Sequence, residues 1–103
     1  MTGVLIFVRV DSPHGPMEVA VGFDNAGAIK GVEVTKATVE TKPWIVEALR
    51  AGLTDRYRGL VPATPPAGAA TVKGKVGAMA AYMAELVDKG VADAGAAYRL
   101  FYR

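Results

Sequence analysis

The sequence contains no cysteine, and this absence excludes several kinds of site at once. Disulfide cross-links, thiolate metal ligands and cysteine nucleophiles all need that residue. The chain has a single histidine, His14, which lies in a proline-flanked turn with no partner apparent in the sequence. We therefore expect His14 to be a solvated turn residue. The sequence lacks the side chains and spacings that hydrolytic acid–base catalysis or a metal centre would require.

The sequence also has no large excess of positive or negative charge and no long apolar run. The formal net charge is +2, and acidic and basic residues are interspersed. A nucleic-acid-binding surface needs a wider basic area than the Tyr/Arg/Phe alternation at residues 98–103 provides. The apolar run at residues 4–8 is too short to cross a bilayer. We therefore expect no nucleic-acid partner and no membrane span in this chain.

The length of 103 residues predicts a single domain over residues 1–103, and its first half has the pattern of β-strands. Residues 4–10 are rich in β-branched and aromatic side chains and stop at a turn with two prolines. Residues 17–23 alternate between apolar and small or polar side chains, and residues 29–39 resume this alternation with an interruption near Gly31. A hairpin with a bulge at Gly31 is predicted, within an antiparallel sheet of at least three strands.

The second half has helical spacing. Pro43 suits a first helical position, and Gly52 suits the end of that helix. Residues 61–70 contain three prolines, which favours a surface connection. We expect a second helix to end at Gly90 and residues 98–103 to form a closing strand. The apolar stripe of the second helix consists of Val76, Met79, Ala80, Met83, Leu86 and Val87. The predicted fold class is α+β, a small antiparallel sheet packed with two or three helices.

A basic glycine loop precedes the second helix and is the main candidate binding site. It consists of Lys73, Gly74, Lys75, Val76 and Gly77. A loop that opens a helix presents free backbone N–H groups and the positive end of the helix dipole. No acidic residue follows in the first turn, so a bound anion would stabilise this end. The loop lacks the spacing of a P-loop, and an ordinary helix start with flanking lysines explains it equally well.

The order of motifs resembles the FMN-binding domain of the Rnf and sodium-translocating quinone reductase complexes and of small related flavoproteins. Residues 12–19 resemble that family's Gly-Tyr-x-Gly-Pro-Ile turn and strand, and residues 21–34 are similar to its hairpin. Residues 40–43, Glu-Thr-Lys-Pro, look like its Glu-Thr-Pro motif with one residue inserted. Residues 57–59 fall where family members end a helix with an aromatic residue and a glycine. The resemblance extends from about Gly3 to Gly90 and implies an FMN-binding-domain-like fold.

The glycine loop falls where this family has Ser-Gly-Ala-Thr, with Lys73 on the serine and Val76 on the threonine. In members with covalent flavin that threonine forms the phosphoester, and because valine has no oxygen, covalent attachment at Val76 is excluded. The resemblance instead implies non-covalent FMN with its phosphate at residues 73–77. The turn at Glu40 and Thr41 would border the ring or the ribityl chain. Trp44 and Tyr82 are candidates to flank the ring, although packing in the core is the favoured explanation for both.

Two hypotheses follow from the resemblance. The first is an electron-transfer module that docks a larger redox protein or a membrane electron-transport complex, rather than a stand-alone enzyme; the resemblance suggests an extracytoplasmic location. The alternative is a cofactor-free binding or structural subunit that keeps the fold and uses its apolar cleft for a partner chain. Lys73 and Lys75 favour the first hypothesis, while Val76 and the altered Glu-Thr-Pro motif favour the second. A homo-oligomer is compatible with both.

Overall fold

The computed structural model describes residues 3–62 and 64–101, and these form a three-stranded sheet with helices on one side. The elements are β1 (Val4–Val10), β2 (Met17–Phe23), β3 (Ile29–Lys36), α1 (Lys42–Arg50), a 3-10 helix (Leu53–Arg56), α2 (Gly68–Val72) and α3 (Ala78–Phe101). The predicted α+β class is confirmed. None of the helices in the described part of the chain is both long enough and apolar enough to span a membrane.

The sheet has the order β1-β2-β3, and both pairs of neighbouring strands are antiparallel. The alternation in residues 17–23 buries Val19, Val21 and Phe23 on the face that the helices cover, which we call the inner face. The predicted hairpin is confirmed. The register shifts between Gly22 and Phe23, where Gly31 and Ile29 are the respective partners, so the bulge predicted near Gly31 is also present.

The opposite side of the sheet, which we call the outer face, is not covered by any helix of the described chain. Leu5 and Phe7 project from it and remain 60% and 55% exposed. The outer face also carries Arg9, Glu18, Ala20, Gly22, Gly31, Glu33 and Thr35. Antiparallel sheets commonly pack one face against the core and leave the other face exposed to solvent.

Helix α1 begins and ends as the sequence predicts. Pro43 occupies the first turn, where its missing N–H leaves no bond unmade. The helix ends at Arg50, and Gly52 follows with a φ of 91°, a left-handed conformation that favours glycine. Ile45 and Ala48 are buried, and α1 packs on α3.

Two predictions for the C-terminal part are wrong. Helix α3 does not end at Gly90 but continues to Phe101, so Tyr98 to Phe101 are helical instead of forming a closing strand. Residues 102–103 of that predicted strand lie outside the described residues. Gly90 is buried where α3 crosses the inner face, and a Cβ there would lie 3.1 Å from methyl groups of Val10 and Val19. This glycine therefore permits close packing of the helix on the sheet and does not terminate the helix.

The apolar spacing after Gly90 explains why the helix continues. Val91 and Ala94 are buried at the helical interval of three residues, and Tyr98 follows four residues later. The Tyr98 ring stacks on Phe23 with their centroids 4.5 Å apart. The packing of Tyr98 on Phe23 therefore favours the helix over the strand that the alternation from residue 98 predicted.

The proline-rich connection is shorter than predicted because its last residues form α2. Asp88 of α3 holds this helix: its Oδ2 accepts the Ala69 N–H at 3.1 Å, and its Oδ1 accepts the Tyr57 hydroxyl at 2.5 Å. Tyr57 is fully buried. Burial, and then the hydrogen bond and negative charge of Asp88, raise the pKa of Tyr57 well above its ordinary value. The Tyr57 hydroxyl therefore acts as the hydrogen-bond donor to Asp88.

Candidate functional site

The structure brings four residues from distant parts of the chain into one cluster beside α1. His14 Nδ1 lies 2.6 Å from Glu40 Oε1. The His14 ring meets Trp44 edge to face, with centroids 5.4 Å apart, and meets Tyr82 of α3 at 6.2 Å. We call His14, Glu40, Trp44 and Tyr82 the aromatic cluster. It unites Trp44 and Tyr82, both proposed from the sequence, with a histidine for which the sequence showed no partner.

The β1–β2 turn places the imidazole in this cluster. Ser12 accepts the His14 N–H on its hydroxyl oxygen at 3.2 Å, and Thr38 donates its hydroxyl to the His14 carbonyl at 3.2 Å. His14 lies in a turn with 33% of its side chain exposed, as expected, but its ring also contacts Glu40, which the sequence did not indicate. The sequence could not show its contact with Glu40, because 26 residues separate the two.

Glu40 and Thr41, predicted to border a cofactor, lie in different environments. Glu40 is at the surface and its carboxylate is engaged by His14. Thr41 is buried, with 4% of its surface exposed, and its hydroxyl donates to the Thr38 carbonyl at 3.2 Å. The Thr41 and Thr38 hydroxyls also lie 3.0 Å apart. The Thr41 side chain therefore stabilises the connection before α1 and presents no hydroxyl to the surface.

The glycine loop connects α2 to α3, and its predicted position directly before the long helix is confirmed. Lys73, Gly74, Lys75 and Gly77 are exposed, and Val76 is half-buried against the core. The Lys75 N–H donates to the Val72 carbonyl at 2.9 Å, which continues the turn of α2. The loop is therefore accessible, but its Lys75 N–H is already used within the chain.

A carboxylate from α1 lies at the start of α3. The Gly77 N–H donates to Glu47 Oε2 at 2.7 Å. A negative charge is stabilising at this end of a helix, where backbone N–H groups point outward. The sequence suggested that no acidic residue neutralises this helix end, because none occurs in its first turn. Glu47 does so from a position 30 residues earlier.

The contact of Glu47 with Gly77 argues against a phosphate at the glycine loop. A phosphate on the Gly77 N–H would stand beside a carboxylate within hydrogen-bonding distance, and like charges at that separation repel. Lys73 also lines a cleft of about 350 Å³ between α2 and α3 that contains Glu85 and Asp88. In this arrangement the Gly77 N–H is occupied by Glu47 and is not free to bind a phosphate.

The role of Glu47 as a helix-capping carboxylate is testable by its effect on stability. We expect Glu47→Gln to lower the free energy of unfolding by about 0.3–1 kcal/mol, with a smaller loss at high salt because the site is exposed. Urea denaturation at low and high salt measures both quantities. Glu85→Gln, an equal charge change two turns into α3, is the control. Equal losses in the two variants would show that net charge, and not the helix end, is responsible.

Comparisons with known proteins identify no relative of this chain. No protein-family model matches the chain, and no curated protein or solved structure matches it. The resemblance to FMN-binding domains therefore rests on the sequence motifs alone.

Proposed function

We propose that this chain is a binding subunit that works without a bound flavin. The observation that carries the proposal is the hydrogen bond from the Gly77 N–H to the Glu47 carboxylate, which supplies from within the chain the anion that α3 would otherwise take from a ligand. Val76 adds to this argument, because its side chain cannot form a phosphoester. The buried hydroxyl of Thr41 has its partners in Thr38.

A binding subunit also needs a surface that a partner can cover. The outer face provides one, since Leu5 and Phe7 are more than half exposed on a regular strand. Large apolar side chains that stand together on a surface mark interaction sites more often than scattered single ones do. The outer face and the glycine loop are built from different elements, so binding at the first does not need a ligand at the second.

A second candidate function, a non-covalent FMN-binding electron-transfer module, is favoured by the aromatic cluster. Trp44 and Tyr82 approach the same imidazole, and residues of this type are suited to contact a flat conjugated ring. This function would require the Glu47 side chain to turn away from Gly77 and Lys73 or Lys75 to pair with the phosphate. Its partner would be a larger redox protein or a membrane electron-transport complex.

Titration with FMN distinguishes the two functions. We expect purified protein to show no visible absorption band, and added FMN to keep its fluorescence. Quenching that saturates at one FMN per chain would overturn the proposal and support the second candidate. In that case the double variant Lys73→Ala/Lys75→Ala should weaken binding most at low salt, and Glu47→Ala should strengthen it. Quenching that is unchanged in both variants would place the flavin elsewhere on the chain.

A further inference from the structure

The outer face contains a projection and a depression side by side. Leu5 and Phe7 of β1 form the projection. Leu5 and Phe7 also line a depression of about 370 Å³ beside them. Its other lining residues include Gly22 and the 5% exposed Ala20 of β2 and Lys30, Gly31 and Glu33 of β3. Because glycine has no side chain and alanine has only a methyl group, the surface of β2 is low where that of β1 is high.

The register of the sheet relates the two features residue by residue. Leu5 pairs with Gly22, Phe7 pairs with Ala20, and Arg9 pairs with Glu18. Each large apolar side chain on β1 thus has a small residue beside it on β2, and the arginine has an acid beside it. A surface that carries both members of each complementary pair can match a second copy of itself.

We propose that two copies of this chain associate through their outer faces around a two-fold axis that runs parallel to the strands, between β1 and β2. This symmetry places β1 of each copy over β2 of the other. Leu5 then lies over Gly22 of the second copy, and Phe7 lies over Ala20. Packed sheets are about 10 Å apart, a gap that side chains from one face fill when the opposite face carries small residues.

Charge complementarity favours a second copy as the occupant. The same symmetry places Arg9 over Glu18 of the other copy, twice in the dimer. In the single chain, Arg9 pairs with Asp11 at 2.8 Å and Glu18 accepts the Thr35 hydroxyl at 2.7 Å. Both Arg9 and Asp11 are mostly exposed, so exchanging this ion pair for one across the interface loses little stability.

The area over which the two copies overlap is small for a dimer interface. With the axis between β1 and β2, only these two strands face the second copy, and two strands about 4.8 Å apart and seven residues long cover a footprint on the order of 200 Å². A stable dimer buries about 800 Å² on each partner. We therefore expect a weak dimer that forms only at high protein concentration.

Sedimentation equilibrium of the full chain, without flavin, tests this proposal. We expect the average mass to rise from near the 10.7 kDa of one chain towards twice that value as the concentration increases from roughly 10 μM to 1 mM. Phe7→Glu should abolish the rise. Val39→Glu introduces the same charge at a side chain that is 91% exposed in the connection between β3 and α1, and it should leave the rise unchanged.

Four further variants distinguish this interface from other surfaces of the chain. Gly22→Val should also abolish the rise, because valine fills the space that Leu5 of the second copy would occupy. Within the chain a Cβ at Gly22 meets only ordinary contacts at 3.9 Å, so the thermal midpoint of this variant should not fall. Arg9→Glu and Glu18→Arg should each weaken association, and the double variant should restore it.

Two results would overturn the proposal. One is a mass that stays at that of one chain throughout the concentration range. The other is a dimer that persists in both Phe7→Glu and Gly22→Val, which would place the interface elsewhere. Neither result bears on whether the chain binds FMN. That question is tested separately by the fluorescence titration, and it concerns a different region of the chain.

Discussion

Replacing Gly90 with valine is expected to lower the free energy of unfolding by about 3 kcal/mol. A Cβ at this position would lie 3.1 Å from Val10 Cγ2, 3.1 Å from Val19 Cγ2 and 3.2 Å from Val19 Cβ. Val10 and Val19 are buried, with 1% and 0% of their surfaces exposed, so neither side chain has free space to enter. The two methyl groups of valine would force α3 away from the sheet along its central contact.

Chemical denaturation monitored by far-UV circular dichroism measures this loss. Ala92→Val is the control, because Ala92 is exposed on the same helix and valine there changes only the helix propensity. We expect the control to lose no more than about 0.7 kcal/mol. Similar losses in the two variants would show that α3 does not pack on the sheet at Gly90.

Truncation of Tyr57 to alanine is the second change with a large expected effect, a loss of about 3–5 kcal/mol. The ring is completely buried between the 3-10 helix and α2, and its hydroxyl donates to Asp88. Alanine would leave a cavity where the ring lies and would remove this donor from Asp88. Because Asp88 also accepts the Ala69 N–H, the attachment of α2 to α3 would weaken as well.

A series of variants distinguishes the contribution of the Tyr57 ring to stability from that of its hydroxyl. Tyr57→Phe keeps the ring and should lose less, about 1.5–3 kcal/mol, the loss expected when a hydrogen bond to a carboxylate is removed. Tyr82→Ala truncates a half-buried tyrosine of α3 and is the matched control. Urea denaturation of the three variants gives the comparison. If Tyr57→Ala were no more destabilising than Tyr82→Ala, the core position of Tyr57 would be wrong.

The elements that the sequence predicts well are those whose signals are local. The alternation from Met17 to Phe23 and the turn after it specify a hairpin within a few residues, and Pro43 and Gly52 mark the two ends of α1 in the same way. Gly90 shows where this approach fails. A glycine near a helical stripe has the same local signal whether it ends the helix or lets the helix approach a sheet, and only Val10 and Val19 decide between these roles.

The candidate site was only partly predictable for the same reason. Glu40, Trp44 and Tyr82 were identified as separate candidates, and the structure joins them through His14. Glu47 was missed altogether. It is one acidic residue in an amphipathic helix, and nothing near it in the sequence indicates that its carboxylate reaches the first turn of a helix 30 residues away.

The sequence by itself determined the α+β class, the antiparallel hairpin and the impossibility of a phosphoester at Val76, because periodicity, backbone sterics and side-chain chemistry are properties of single residues and their neighbours. Only the tertiary structure decided which charge occupies the start of α3, how far α3 extends and which face of the sheet remains uncovered. These features depend on groups far apart in sequence, such as Glu47 with Gly77 and Phe23 with Tyr98, and folding alone brings those groups together.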